Sequence, residues 1–379
     1  MILRIGVPRE RMPRERRVAL VPEVAVRYVK LGYEVILETG AGLEAGFTDE
    51  QYRERGCKVT EETKAVYAAD IVLKVQRPTQ EELAWFASGS TLICFVFGLS
   101  YPQDVRCYAE AGLNLLAMDA VPRITKAQRM DALSSQSNVA GYKAVLVCAN
   151  ALGKMFPLLM TAAGTISPAK VVIMGAGVAG LQALGTARRL GAVVEVSDVR
   201  PAVKEEVQSL GGRFIDIPTS ESMQDSSGYA KEASADFLNR QRQILYKHVT
   251  AADAVITTAL VPGKRAPILV TAEMVQGMRP GSVILDMAVE FGGNCELSKR
   301  DQTVVHNGVT IIGESNLPSM VAYHASELYA RNLLALVEYA TKDGKLALDT
   351  KDEIIGACLL TRDGQVVNER IKQLLAGGE

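Results

Sequence analysis

Gly175, Gly177 and Gly180 stand in the spacing G-x-G-x-x-G within the run KVVIMGAGVAG. That spacing alone is a weak signal; its surroundings make it specific. An apolar stretch, Lys170–Met174, precedes the turn and the helical pattern LQALGTARRLG follows it. A second apolar stretch, VVEVSDV, carries Asp198, 18 positions beyond Gly180. Each residue type then has a physical task. Gly175 permits the tight turn, Gly177 lets the backbone approach a pyrophosphate, and Gly180 lets the helix pack close to the strand. The turn Gly175-Ala176-Gly177-Val178-Ala179-Gly180 presents backbone N–H groups and the positive end of a helix dipole to phosphate oxygens. Within Ser197-Asp198-Val199-Arg200, the Asp198 carboxylate is placed to accept adenosine ribose hydroxyls, and its charge opposes a 2′-phosphate. The expected ligand is therefore NAD(H). Arg200 is the feature that would serve a 2′-phosphate instead.

A second glycine cluster, Gly40, Gly42 and Gly46, also follows an apolar stretch. Its spacing is one residue too long, and Thr48-Asp49-Glu50-Gln51 supplies a helix start of its own. It reads as a structural turn.

These residues need elements to hold them. Short apolar runs alternate with helix-like segments along all 379 residues, the rhythm of βαβ units and parallel sheets. Strands are expected at Leu3–Val7, Glu34–Glu38, Ile71–Val75, Thr91–Val96 and Asn114–Met118. A second set is expected at Lys170–Met174, Val193–Ser197, Ala254–Thr258, Ser282–Asp286 and Val309–Ile312. The fold class is α/β: two Rossmann-like, doubly wound parallel-sheet domains, the second inserted into the first. A polar stretch, DALSSQSN, opens a long helical pattern near the first boundary, and strand-like pieces such as Ile354–Thr361 return to the first domain. The expected boundaries are 1–133 with 321–379 for the N-terminal domain and 134–320 for the nucleotide-binding one. A long polar stretch from Pro218 to Gln243, with Gly228 and Tyr229 near its centre, is of unusual length between such elements. A tyrosine beside a glycine there is placed to act as a lid over a ligand.

Composition excludes several classes. The 42 Lys and Arg residues balance 43 Asp and Glu, which argues against a nucleic-acid surface or a polybasic membrane anchor. Six scattered cysteines form no C-x-x-C pair and three histidines lie far apart, so no metal site is expected. The N-terminal run MILRIGVPRERMPRERR is charged too early for a signal peptide, and Lys154 and Pro157 interrupt the most apolar stretch, Ala144–Thr165. The expectation is a soluble, cytoplasmic chain with no membrane span of its own.

From end to end the chain carries GVPRER, RRVALVPE, ETGAG, LKVQRP, RMDALSSQSNVAGY, GAGVAGLQA, SDVRPAVKE, SSGYAKE, TTALVPGKRAP, MRPGSVILDMAVEFGGNCE and ESNLPS. In these it resembles the alanine dehydrogenase/transhydrogenase family, and within it the NAD(H)-binding alpha component of proton-translocating NAD(P) transhydrogenases. The resemblance implies that this component binds NAD(H), that a partner component binds NADP(H), and that a membrane-spanning part carries protons. It implies a homodimer, held at the inner face of the cell membrane through its partner subunits. It places Arg123, Gln128, Asp131 and Ser134 in a loop beside the nicotinamide, Tyr229 in a mobile loop, and Thr258, Ala259 and Leu260 along the nicotinamide side. The run SSGYAKE departs from the more usual GGYAKE by a serine. An Arg123–Asp131 pair is expected to hold the first loop rigid.

Two other readings compete. Alanine dehydrogenases of this family need acid–base groups to oxidise an amine. The positions matching their lysine and histidine hold Gln76 and Phe97 here, and Glu290 stands where a carboxylate is Asp, although Arg17 matches a substrate-carboxylate arginine. A non-catalytic NAD(H)-sensing module would keep the Gly175–Asp198 site but have no use for Arg123, Gln128 and Asp131.

Overall fold

Apolar runs that are continuous rather than alternating must bury both faces of a sheet, and they do. In the computed structural model, which describes residues 2–217, 235–342 and 344–377, Val171, Ile173, Val194, Val196, Ala254 and Ile256 pack into one core layer. Their neighbours Val172, Met174, Val255 and Ile284 pack into another. Successive side chains of a strand point to opposite faces, so each run feeds two cores.

The chain divides into two compact units, residues 1–136 with 318–379 and residues 137–317. The first boundary falls inside the helix Ala132–Ala151, three residues beyond the expected one. Its cause is a set of ties to the first unit. The Ser135 hydroxyl donates to Asn332 Oδ1 at 2.7 Å, and the Gln136 amide donates to Ala325 O at 2.9 Å and accepts from Arg17 at 2.8 Å.

The first unit holds an eight-stranded sheet in the order Gln365–Val366, Leu359–Arg362, Asn114–Ala117, Thr91–Cys94, Ile71–Leu73, Arg4–Val7, Glu34–Glu38, Lys58–Thr60. All neighbours run parallel except the two C-terminal strands. The returning tail therefore adds an antiparallel edge. Its expected strand is displaced, because Ile355–Cys358 forms a helical turn before Leu359–Arg362 pairs with Asn114–Ala117. The Gly40–Gly46 segment is a turn: Gly46 has φ +90°, and Thr48 and Gln51 form a capping box on the helix Asp49–Glu54.

The second unit holds seven strands in the order Arg213–Phe214, Val193–Ser197, Lys170–Met174, Ala254–Thr257, Val283–Asp286, Val309–Gly313, Gln302–His306. Only the last runs antiparallel to its neighbour. Strand order reverses at Lys170–Met174, whose neighbours are the following strand on one side and Ala254–Thr257 on the other. Ligands of such sheets bind outside the carboxyl ends at this reversal. Gly175 and Thr258 are the residues that leave those two strands there.

Candidate dinucleotide site and its relatives

Gly175 leaves its strand with φ +108°, a conformation open to glycine, and a Cβ there would stand 2.4 Å from Thr258 Oγ1. Thr258 locks the turn from the neighbouring strand, its hydroxyl lying 3.2 Å from both Met174 O and Gly175 O. A Cβ on Gly180 would lie 1.8 Å from Gly175 O, so helix and strand touch through backbone alone. Gly177 differs: a Cβ there meets no atom within 4 Å. It is the N-cap of the helix Val178–Arg189, and no side chain caps that end. Two glycines are thus required by packing and the third faces open space. These are the demands a pyrophosphate at a helix N-terminus would set, so the residues present fit NAD(H).

The flanking positions divide. Asp198 Oδ2 accepts from Ala176 N at 2.7 Å, which ties the second strand's end to the turn. Ser197 contributes its carbonyl to Gly175 N at 2.8 Å, while its hydroxyl is buried without a hydrogen-bond partner. Ala259 N donates to Asn294 Oδ1 at 3.0 Å, and Leu260 is partly exposed. Gly228 and Tyr229 lie outside the described residues.

Sequence reasoning missed the groups that hold this edge in place. Asn294, fully buried, clamps both sides of Ala259 and also donates to Pro267 O at 2.8 Å. Asp286 sits beneath it. Its two oxygens accept from Thr257 Oγ1, Ala288 N, Asn294 N, Cys295 N and Ser298 Oγ, all at 3.0 Å or less. Gly141 lies under the turn, where a Cβ would come within 2.2 Å of Ala179 O. The signals were a lone carboxylate at a strand end in DMAVEFGGNCE and a glycine inside a helical pattern.

In the first unit, Thr125–Met130 forms a 3-10 segment on which Gln128 is exposed, its side-chain amide without a partner among the described residues. Arg123 is exposed as well. Asp131 does not pair with Arg123, contrary to expectation. Its carboxylate accepts from Ser134 N at 2.9 Å and Ser134 Oγ at 2.6 Å, so it caps the helix Ala132–Ala151. A carboxylate three residues ahead of a serine inside the first helical turn is better satisfied by that local geometry than by a long arginine.

The positions that would do amino-acid chemistry are occupied otherwise. The Gln76 amide donates to Glu15 Oε2 at 2.9 Å. Glu15 also takes Arg17 Nε at 2.8 Å and Nη2 at 2.6 Å, both side chains being buried. Burial alone would raise the Glu15 carboxyl, but Arg17 and Gln76 outweigh it and hold it at about 2. Phe97, at φ 54°, stacks on Phe95 with centroids 5.8 Å apart. Glu290 pairs with Arg300 at 2.6 Å. Lys74, the remaining lysine of this strand, is fully buried between Glu82 at 2.6 Å and Glu10 at 3.3 Å. Among the described residues no cluster of His, Cys, Asp and Glu would hold a metal ion, and no helix is long and apolar enough to cross a membrane.

Two family models match, described as alanine dehydrogenase/PNT N-terminal domain over residues 6–140 and C-terminal domain over residues 144–369. The chain is 46% identical to the first of the chains that make up the NAD(P) transhydrogenase alpha subunit of Rhodospirillum rubrum, over 97% of this chain and 98% of that one. A solved transhydrogenase structure from Sinorhizobium meliloti superposes with a TM-score of 0.87 at 42% identity, covering 96% of this chain and 100% of that one. Alanine dehydrogenase of Bacillus subtilis is 30% identical over 97% of this chain and 93% of its own length. The chain therefore belongs to the alanine dehydrogenase/transhydrogenase family, and within it stands with the transhydrogenase alpha subunits, the alanine dehydrogenases being its more distant relatives.

Proposed function

We propose that this chain is the NAD(H)-binding component of a proton-translocating NAD(P) transhydrogenase, acting with a partner component that binds NADP(H) and a separate membrane-spanning part. One observation carries the choice within the family. A complete dinucleotide turn coexists with positions 76 and 97 whose side chains are engaged by Glu15 and by Phe95. Proton transfer to or from a substrate amine has no group to perform it there. Hydride exchange between two nicotinamides requires no general acid or base. It requires positioning to about 3–3.5 Å and exclusion of water.

The residues then divide their work. The Gly175–Gly180 turn and Asp198 supply affinity through phosphate and ribose. Arg123, Gln128, Asp131 and Ser134 are assigned to the nicotinamide end by the resemblance, with Asp131 fixing the start of its helix rather than an arginine. Gln128 is uncharged and carries an unengaged amide, suited to orienting a carboxamide. Tyr229, with Gly228 beside it, is assigned to a loop that covers the ligand, and Thr258, Ala259 and Leu260 to the nicotinamide side. The protein works as a homodimer, peripheral on the inner face of the cell membrane through its partner subunits.

Gln128→Asn tests this division. Withdrawing the amide by one methylene, a displacement of about 1 Å, is expected to slow single-turnover hydride transfer in the complex reconstituted with the NADP(H)-binding component by about a hundredfold. NADH affinity should stay within about threefold, because phosphate and ribose contacts carry most of it. A normal transfer rate in stopped flow would remove Gln128 from the site. A collapse of NADH binding would make it an affinity contact. The unmodified chain should also show no alanine-dependent reduction of NAD; robust turnover with any amino acid would overturn the assignment in favour of the dehydrogenase branch.

A further inference from the structure

Asp198 is already fully engaged before any ribose arrives. Its Oδ1 accepts from Arg200 N and Arg200 Nε, each at 2.9 Å, and its Oδ2 accepts from Ala176 N at 2.7 Å and Arg200 Nη2 at 2.9 Å. A carboxylate has about four lone-pair positions, so these four donors fill it. Both side chains are withdrawn from water, Asp198 at 6% exposure and Arg200 at 15%. Two of the donors are backbone N–H groups, fixed by the strand end and the glycine turn. The other two belong to one guanidinium on a rotatable stem.

A ribose diol reaching this carboxylate needs acceptor positions, and only the guanidinium can give them up. We propose that Arg200 is an internal competitor of the adenosine ribose for Asp198, and that it is thereby a determinant of nucleotide specificity. The proposal rests on the reading of the Gly175–Asp198 site as the NAD(H) site. Two consequences follow from the geometry. Binding of an unmodified ribose must break the bidentate ion pair, which lowers affinity below what Asp198 alone would provide. The pair also neutralises the charge that would exclude a 2′-phosphate. Once displaced, the guanidinium remains tethered two residues from Asp198, where a 2′-phosphate is a better partner for it than a hydroxyl is. Arg200 thus narrows the gap between the two nucleotides instead of widening it.

Calorimetric titration of the full chain with ADP, adenosine 2′,5′-bisphosphate and 2′,3′-dideoxy-ADP isolates this half of the ligand. In Arg200→Met, ADP should bind about fivefold more tightly, and the ratio of ADP to bisphosphate affinity should rise at least about tenfold. Dideoxy-ADP, which has no ribose hydroxyl to compete, should change by less than about twofold. Arg200→Lys keeps the charge without the bidentate grip and should fall between, which preserves the test should the methionine variant fold poorly. An unchanged or weakened ADP affinity, an unchanged ratio, or an equal gain for dideoxy-ADP would each overturn the proposal. Failure of the unmodified chain to bind NADH or ADP at all would instead overturn the site reading beneath it, and the proposal with it.

Discussion

Gly177→Val is expected to abolish NADH binding and leave the fold intact, whereas Gly180→Ala should damage the fold itself. The two glycines sit in one turn and look equivalent in sequence. They differ in what surrounds them. A Cβ at Gly177 meets nothing within 4 Å, and its φ of −77° and ψ of −172° lie in the extended region that valine favours. The added methyl groups then occupy the space in which a pyrophosphate would approach the helix N-terminus. Losing two charge-assisted hydrogen bonds at about 1.5 kcal/mol each lowers affinity about a hundredfold or more. At Gly180 a Cβ would stand 1.8 Å from Gly175 O and 2.8 Å from Gly175 C, so strand and helix must separate. That overpacking costs about 3 kcal/mol. Thermal melting and NADH titration on both variants check the pair. Tight NADH binding by Gly177→Val, or melting of both variants at the same reduced temperature, would show that the glycines are not divided between ligand and packing.

The interior strands of both sheets were legible because burial on both faces writes a continuous apolar run. Lys170–Met174, Val193–Ser197 and Glu34–Glu38 stand where those runs stand. Edge strands carry no such mark. Gln302–His306 is exposed along almost its whole length and Lys58–Thr60 is barely buried, so neither differs from a loop in composition. The turn was legible for a related reason: glycine is needed where φ is positive or backbone meets backbone, and Gly175 and Gly180 record both demands. Asn294 and Asp286 were not legible as a clamp. Their function depends on two strand ends meeting through the sheet, a contact that sequence spacing does not encode. Asp131 shows the opposite error. A long-range ion pair with Arg123 was expected, yet Ser134, three residues on, satisfies the carboxylate within the same helical turn. Arg200 was read as a residue waiting for a phosphate, and the structure gives its guanidinium to Asp198.

Arg17→Met should be among the most destabilising single changes in the first unit, and its penalty should depend on pH in a defined direction. Arg17 and Glu15 are paired in the interior, with side chains 4% and 0% exposed. Removing the guanidinium strands a buried carboxylate, which costs about 3–5 kcal/mol. For a unit of this size that corresponds to a fall in melting temperature of about 10 °C. The sign with pH follows from the Glu15 carboxyl. In the unaltered chain its pKa is held at about 2, below the unfolded value. Its contribution to stability is therefore present above the ordinary carboxylate range of about 4.3 and lost as pH falls through about 2. Without Arg17 the burial that opposes ionisation is no longer outweighed, and the folded pKa moves above the unfolded one. Protonation then favours the folded state, so the deficit of the variant should shrink as pH is lowered from 7 to 5. Glu15→Gln in the same background should recover some of the loss at pH 7 by removing the charge while keeping an acceptor for the backbone N–H groups of Arg16 and Arg17. Melting curves of the three proteins at pH 5, 6 and 7 measure both effects. A deficit that is constant with pH would mean that Glu15 stays ionised without its partner, and the electrostatic account of this buried cluster would fail.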